Sequence, residues 1–203
     1  MLNAPATEIV FFEGFDDIDG VAPVEILTAA GFPVAVVGFP AGIRTVRSAH
    51  GLRIEVATDI GAAPDLVVVP GGGWGDGAGV GVRALVGTSL PERLAALHQR
   101  GTVLASVCTG AMVLAAAGVL NGRPAVTHRV ALEDLAAAGA EVHPEARVVD
   151  DGTVVTSGGP AAGIDLALRL VERFQGPEAA ERAAVRLEHR RVGPTRVTPA
   201  VAA

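Results

Sequence analysis

Hydrophobic residues fall along this chain in short blocks broken by glycine, proline and charge. Glu8-Ile9-Val10-Phe11-Phe12, Val34-Ala35-Val36-Val37 and Leu66-Val67-Val68-Val69 read as strands of the continuous apolar kind found in parallel sheets buried on both faces. Residues 102–107 have the same character. Helices are predicted over 21–30, 90–100, 110–117 and 131–138, with Gly101 and Gly139 closing two of them. An amphipathic helix follows over 161–174 and a charged helical segment over 178–191. Residues 44–57 alternate polar and apolar around Gly51, the pattern of an antiparallel ribbon. Residues 123–127 read as a short strand. Asp150-Asp151-Gly152 between Arg147-Val148-Val149 and Val154-Val155-Thr156 marks a hairpin. Strands alternating with helices imply an α/β fold, a mainly parallel sheet with helices on both faces. One domain over 1–192 is expected, with a Pro- and Ala-rich tail over 193–203 that frays.

Composition narrows the function classes. The 203 residues suffice for one full core, and half of them are hydrophobic, which argues against disorder. No apolar run has the length of a membrane span, and the N-terminus lacks the basic region of a signal peptide. A net charge of −6 argues against a nucleic-acid surface. All sixteen basic residues are arginine, so a phosphate-binding lysine, a Schiff base and a lysine general base are excluded. A single cysteine allows no internal disulfide, and an open thiol suits a reducing cytoplasm.

That cysteine, Cys108, stands where an apolar strand runs straight into a small-residue helix, bracketed by Ser106 and Gly110. A lone cysteine is ordinarily a small buried hydrophobe. Here its flanks match a nucleophile elbow, and the helix start behind it is expected to favour a thiolate. In parallel sheets ligands sit beyond the carboxyl ends of the strands. Asp19, Gly71 to Gly73 and Cys108 all fall at such ends, which joins them into one candidate site. A carboxyl at Asp19 beside the sulfur would have a raised pKa and serve as proton donor. The neighbouring Asp16 and Asp17 read as a solvated acidic turn with a helix cap. Backbone N–H groups of the Gly71-Gly72-Gly73 run and of Thr109 suit an anion hole. Gly75 to Gly81 reads as a flexible loop, because its glycines lack the tight strand-to-helix setting of a dinucleotide cradle. His128 is either a partner of the cysteine or a structural histidine. Trp74 either lines the pocket mouth or covers a loop. No histidine has metal-ligand spacing with another, so neither metal nor organic cofactor is expected.

Taken together, Ala105-Ser106-Val107-Cys108-Thr109-Gly110-Ala111, Ile18-Asp19-Gly20, Val69-Pro70-Gly71-Gly72, Val126-Thr127-His128 and Ser157-Gly158-Gly159-Pro160 resemble the ThiJ/PfpI superfamily over nearly the whole chain. Within it the likeness is greatest to the isonitrile hydratase group and to the amidase domain of AraC-type regulators. The helix-turn-helix region of those regulators is not expected within these 203 residues. The resemblance implies a three-layer flavodoxin-like sandwich of the glutamine amidotransferase-like class and a homodimer acting on a small molecule. It implies a nucleophile at Cys108, an acid at Asp19, and substrate-binding backbone groups at Gly72 and Thr109. An aspartate in the acid position is the hydratase type, whereas deglycase-like members often carry glutamate. One departure is Arg129, where members of the hydratase group commonly have tryptophan. The expected reaction is hydration of an isonitrile to a formamide through a cysteine thioimidate. A glyoxalase, deglycase or amidase reaction and a non-enzymatic oxidation sensor are the alternatives.

Overall fold

The computed structural model describes residues 4–75 and 79–198. The chain runs β1 (Thr7–Phe11), α1 (Asp17–Ala29), β2 (Val34–Gly38), β3 (Thr45–Arg47), β4 (Arg53–Glu55), β5 (Thr58–Asp59) and β6 (Leu66–Val69). It continues through α2 (Val82–Leu85), α3 (Leu90–Gln99), β7 (Val103–Ser106), a 3-10 turn (Cys108–Gly110) and α4 (Ala111–Ala116). Then come β8 (Pro124–Ala125), a 3-10 turn (Arg129–Ala131), α5 (Leu132–Ala137), β9 (Glu141–Val142), β10 (Val148–Asp150) and β11 (Val154–Ser157). The last elements are α6 (Ala162–Gln175), α7 (Pro177–Arg186) and β12 (Thr195–Val197).

Eight strands form the central sheet in the order β12-β10-β11-β7-β6-β1-β2-β5. Every pairing in it is parallel except the β10–β11 hairpin. Helices α1, α6 and α7 pack together, while α2, α3 and α5 gather around α4. The result is the flavodoxin-like α/β sandwich. The four side chains of β6 are fully buried, at about 1.5–3 kcal/mol of apolar transfer each. Among the described residues, no helix is long and apolar enough to cross a membrane.

Several elements depart from the pattern read in the sequence. The segment around Gly51 does form an antiparallel ribbon, β3 with β4, but outside the main sheet. The strand expected over 123–127 shrinks to β8, paired with β9 in a separate two-stranded sheet. The charged helix stops at Arg186. Part of the tail expected to fray is strand: β12 pairs with β10 from Val148↔Thr195 to Asp150↔Val197. Residues 199–203 lie outside the described residues.

Helix α1 begins at Asp17, so Asp19 sits in its first turn and not in the preceding loop. Gly20 explains the close seat of that turn, since a Cβ there would lie 2.7 Å from the Phe11 ring. Phe11 in turn meets Phe15 edge-on, with ring centroids 4.8 Å apart. This packing carries the Asp19 side chain under the ends of β1 and β6.

Candidate active site

Four neighbouring strands of the sheet, β11, β7, β6 and β1, deliver the site at their carboxyl ends. Cys108 follows β7, Gly71 and Gly72 follow β6, and Gly158 and Gly159 follow β11. Asp19 arrives on the helix after β1.

Cys108 has φ 56°, a left-handed conformation rare in residues with a side chain. Such strain at a strand-to-helix turn is the geometry that presents a nucleophile. The elbow is held from both sides: Cys108 N–H donates to Gly158 O (3.1 Å), and Thr127 Oγ1 donates to Cys108 O (2.7 Å). Thr127 and Gly159 carry no role in the sequence reading, although a glycine pair just past a strand end is the mark of close backbone approach. A Cβ at Gly159 would lie 2.7 Å from Cys108 Sγ.

Asp19 is completely buried. Its Oδ2 accepts the Gly71 N–H (3.2 Å), and Oδ1 has no partner among the described residues. Gly71 is the point where acid and thiol meet. A Cβ there would collide with Asp19 Oδ2 and would lie 2.7 Å from Cys108 Cβ and 3.0 Å from Thr109 N. Burial raises the Asp19 carboxyl from 3.8 to about 7, the Asp16 charge adds to this, and hydrogen bonds from Cys108 and Gly71 oppose it. Burial also pushes the Cys108 thiol up, as does the negative charge of Asp19. The Thr109 N–H, hydrogen-bonded to the sulfur, works the other way. The thiolate expected from the helix start is therefore overridden. Two buried acids compete for the site's negative charge, so the sulfur is an anion only while Asp19 holds the proton.

The anion hole is also arranged differently from its sequence-based form. Gly72 N–H donates to Thr109 Oγ1 (3.0 Å), and that hydroxyl donates to Gly72 O (2.7 Å). Gly71 N–H is committed to Asp19. Of the expected donors only Thr109 N–H acts on the sulfur, lowering its pKa. The Thr109 hydroxyl ties the elbow to the loop after β6 and caps no helix.

His128 is half-buried, with Nδ1 accepting the Val130 N–H (3.3 Å). Burial lowers its pKa, and so does the nearby Arg129. It lines a cleft with Gly158 and Gly159 and forms no hydrogen bond with the thiol. Trp74 covers the loop after β6, its Nε1 donating to Asp134 Oδ2 (2.6 Å) with Arg83 stacked 4.8 Å above the ring. Asp16 caps α1 only by position, without a side-chain hydrogen bond. Asp17 accepts from Ser48 Oγ and pairs with His50, each at 2.8 Å. The ligand atoms of Asp16, Asp17 and His50 lie within 4.8 Å of one another. That trio is the one such group among the described residues, and it lies at the surface, with Asp17 held by Ser48 and His50. Of the loop over Gly75 to Gly81, residues 76–78 lie outside the described residues.

The sequence profile of the DJ-1/PfpI family matches residues 7–173. Isonitrile hydratase of Pseudomonas putida is 36% identical over 146 residues, 71% of this chain and 61% of that protein. The chain thus spans less than two thirds of that relative. A deglycase of Thermococcus kodakarensis is 31% identical over 159 residues, covering 75% of this chain and 89% of that protein. The crystal structure of DJ-1beta of Drosophila melanogaster superposes with a TM-score of 0.82 over 93% of this chain and 100% of that one. At 24% identity that likeness speaks to the fold alone.

Proposed function

The chain belongs to the DJ-1/PfpI family, and from that premise we propose that it hydrates isonitriles to N-substituted formamides, with Cys108 as nucleophile and Asp19 as proton carrier. The observation that carries this reading is that the Asp19 carboxyl and the Cys108 side chain crowd the same face of Gly71, leaving no room there for a Cβ. In an isonitrile, R–N≡C, the same terminal carbon must accept both a nucleophile and a proton. A buried acid directly beside the sulfur, raised to about 7, suits that demand.

With one proton on the pair, burial and the Asp19 charge hold it on sulfur at rest, so the reaction starts when that proton passes from Cys108 to Asp19 and leaves the sulfur as thiolate. Sulfur bonds to the terminal carbon while the Asp19 proton passes to that carbon. This forms the thioimidate R–N=CH–S–Cys108 and leaves Asp19 ionised. Asp19 then takes a proton from water as the water oxygen bonds to the carbon, and returns the proton to nitrogen. The C–S bond of R–NH–CH(OH)–S breaks with its electrons on sulfur. The hydroxyl proton goes to Asp19 and the formamide leaves. Thr109 N–H steadies the sulfur at both ends of the cycle. The test is NMR detection of formamide from cyclohexyl isonitrile. Wild type is expected to form it and Cys108→Ala to form none. Absence of product from wild type whose Cys108 is still labelled by iodoacetamide would overturn the assignment.

The deglycase relative, nearly all of whose length is matched, favours a second reading, turnover of small reactive carbonyls. Lactate formed from methylglyoxal, and lost in Cys108→Ala, would select it.

We assign a second copy of the chain as partner of the apolar surface where Ile18, Val21 and Leu52 lie exposed beside Ile164. A free thiol of this kind suits a reducing compartment such as the cytoplasm.

A further inference from the structure

The cycle above uses only the terminal carbon of the substrate and leaves a neighbouring feature idle. A cleft of about 550 Å³ opens beside the elbow, and Gly158 and Gly159 are part of its lining. Gly159 also lies against the sulfur, with no room between them for a side chain. The same stretch of backbone therefore touches the nucleophile and borders the cleft. Further lining comes from His128 and Arg129 and from Gly193 and Pro194, just before β12.

The charges around the cleft are unequal. Arg147 on its lining is taken by Asp165, while the Glu145 carboxylate, at the exposed rim, hydrogen-bonds His143. Arg129 is exposed, and among the described residues no carboxylate lies within ion-pair distance of it, in contrast to Arg44, Arg123, Arg169, Arg173, Arg186 and Arg191. The negative charge of Asp16 bears on Asp19, Cys108 and His128. A negative group on a ligand is thus repelled from the sulfur end and drawn to the arginine end.

We propose that this cleft binds the substituent of the substrate, and that the substituent carries a carboxylate held by Arg129. The planar guanidinium offers two parallel N–H donors to such a group. The isonitrile part of the substrate rests on the reading given under Proposed function, whereas the cleft and its acid preference do not.

The test separates the two. Cys108 is modified with a maleimidohexanoic acid or with its neutral methyl ester, and the rates are read by intact mass in wild type, Arg129→Gln and Arg129→Lys. Wild type is expected to favour the acid by about tenfold, the size of one charge-assisted contact. That preference is expected to vanish in Arg129→Gln and to survive in part in Arg129→Lys, with the ester rate equal in all three. Equal rates for acid and ester in wild type would overturn the proposal, as would an acid preference untouched in Arg129→Gln. Failure of either reagent to reach Cys108 would overturn it too, because a sulfur open to the cleft is its premise. In parallel, a carboxyalkyl isonitrile and a plain alkyl isonitrile are compared for formamide. If neither is hydrated while the maleimide preference holds, the hydratase reading falls and the acid-binding cleft stands.

Discussion

At the scale of single residues, the chemistry turns on where one proton sits. The sequence displays the pieces of this site: a lone cysteine between small residues, and an aspartate and a glycine run at neighbouring strand ends. It does not display burial, which decides the charge state. Burial makes Asp19 hold its proton to about pH 7, and the sign of its effect on stability follows. In the unfolded chain the group releases its proton near 3.8. Between these values the folded protein binds more protons, so stability falls as pH rises through that window. Asp19→Asn removes this slope. In urea unfolding at about pH 5 and about pH 8, the variant is expected to gain on wild type at the higher pH by a few kcal/mol, because the slope inside the window is about 1.4 kcal/mol for each pH step of one. No difference between the two pH values would contradict a raised Asp19. Gly159→Ala forces a methyl against Cys108 Sγ. It is expected to lower stability by about 1–3 kcal/mol and to suppress thiol reactivity, read by urea unfolding and iodoacetamide labelling.

At the scale of elements, the long blocks were legible and the short ones were not. Continuous apolar runs gave β1, β2, β6 and β7, and the Asp150-Asp151-Gly152 turn gave the β10–β11 hairpin. Two- and three-residue strands such as β5, β8, β9 and β12 carry no period, so pairing with a neighbour defines them and composition does not. The start of α1 reads as a turn because Asp, Gly and Pro23 crowd it, yet packing on Phe11 holds it helical. Asp150 shows how helix and sheet are bound together. Its buried carboxylate pairs with Arg169 Nε and Arg173 NH1 of α6, each at 2.9 Å. Asp150→Asn leaves Arg173 without its counter-charge and Arg169 with only Glu172. A loss of about 3 kcal/mol, or roughly 6–12 °C in Tm, is expected by calorimetry. An unchanged Tm would mean that the pair contributes nothing net.

At the scale of the whole molecule, alternation of strand and helix revealed the class of fold, and ordered motifs revealed the family. Neither fixes the reaction, since one sheet positions many chemistries at its strand ends. The proposed determinant of the substrate is the cleft beside the elbow. Its walls come from segments distant in sequence, 127–129, 158–160 and 192–194, so no local pattern announces it. The exposed apolar side chains of Ile18, Val21 and Leu52 belong to this scale too. Sedimentation velocity is expected to show a dimer for wild type and a monomer for the double substitution Val21→Asp with Leu52→Asp. A dimer that survives both changes would place the interface elsewhere.

The central claim, that one buried proton is shared between Asp19 and Cys108, is tested most directly by the pH profile of Cys108 alkylation by iodoacetamide. In wild type the rate is expected to rise through an inflection near pH 7, where the pair loses its first proton. In Asp19→Asn that inflection is expected to disappear and reactivity to keep climbing above pH 7, because the charge that holds the thiol up is gone. Superimposable profiles for the two proteins would contradict the shared proton.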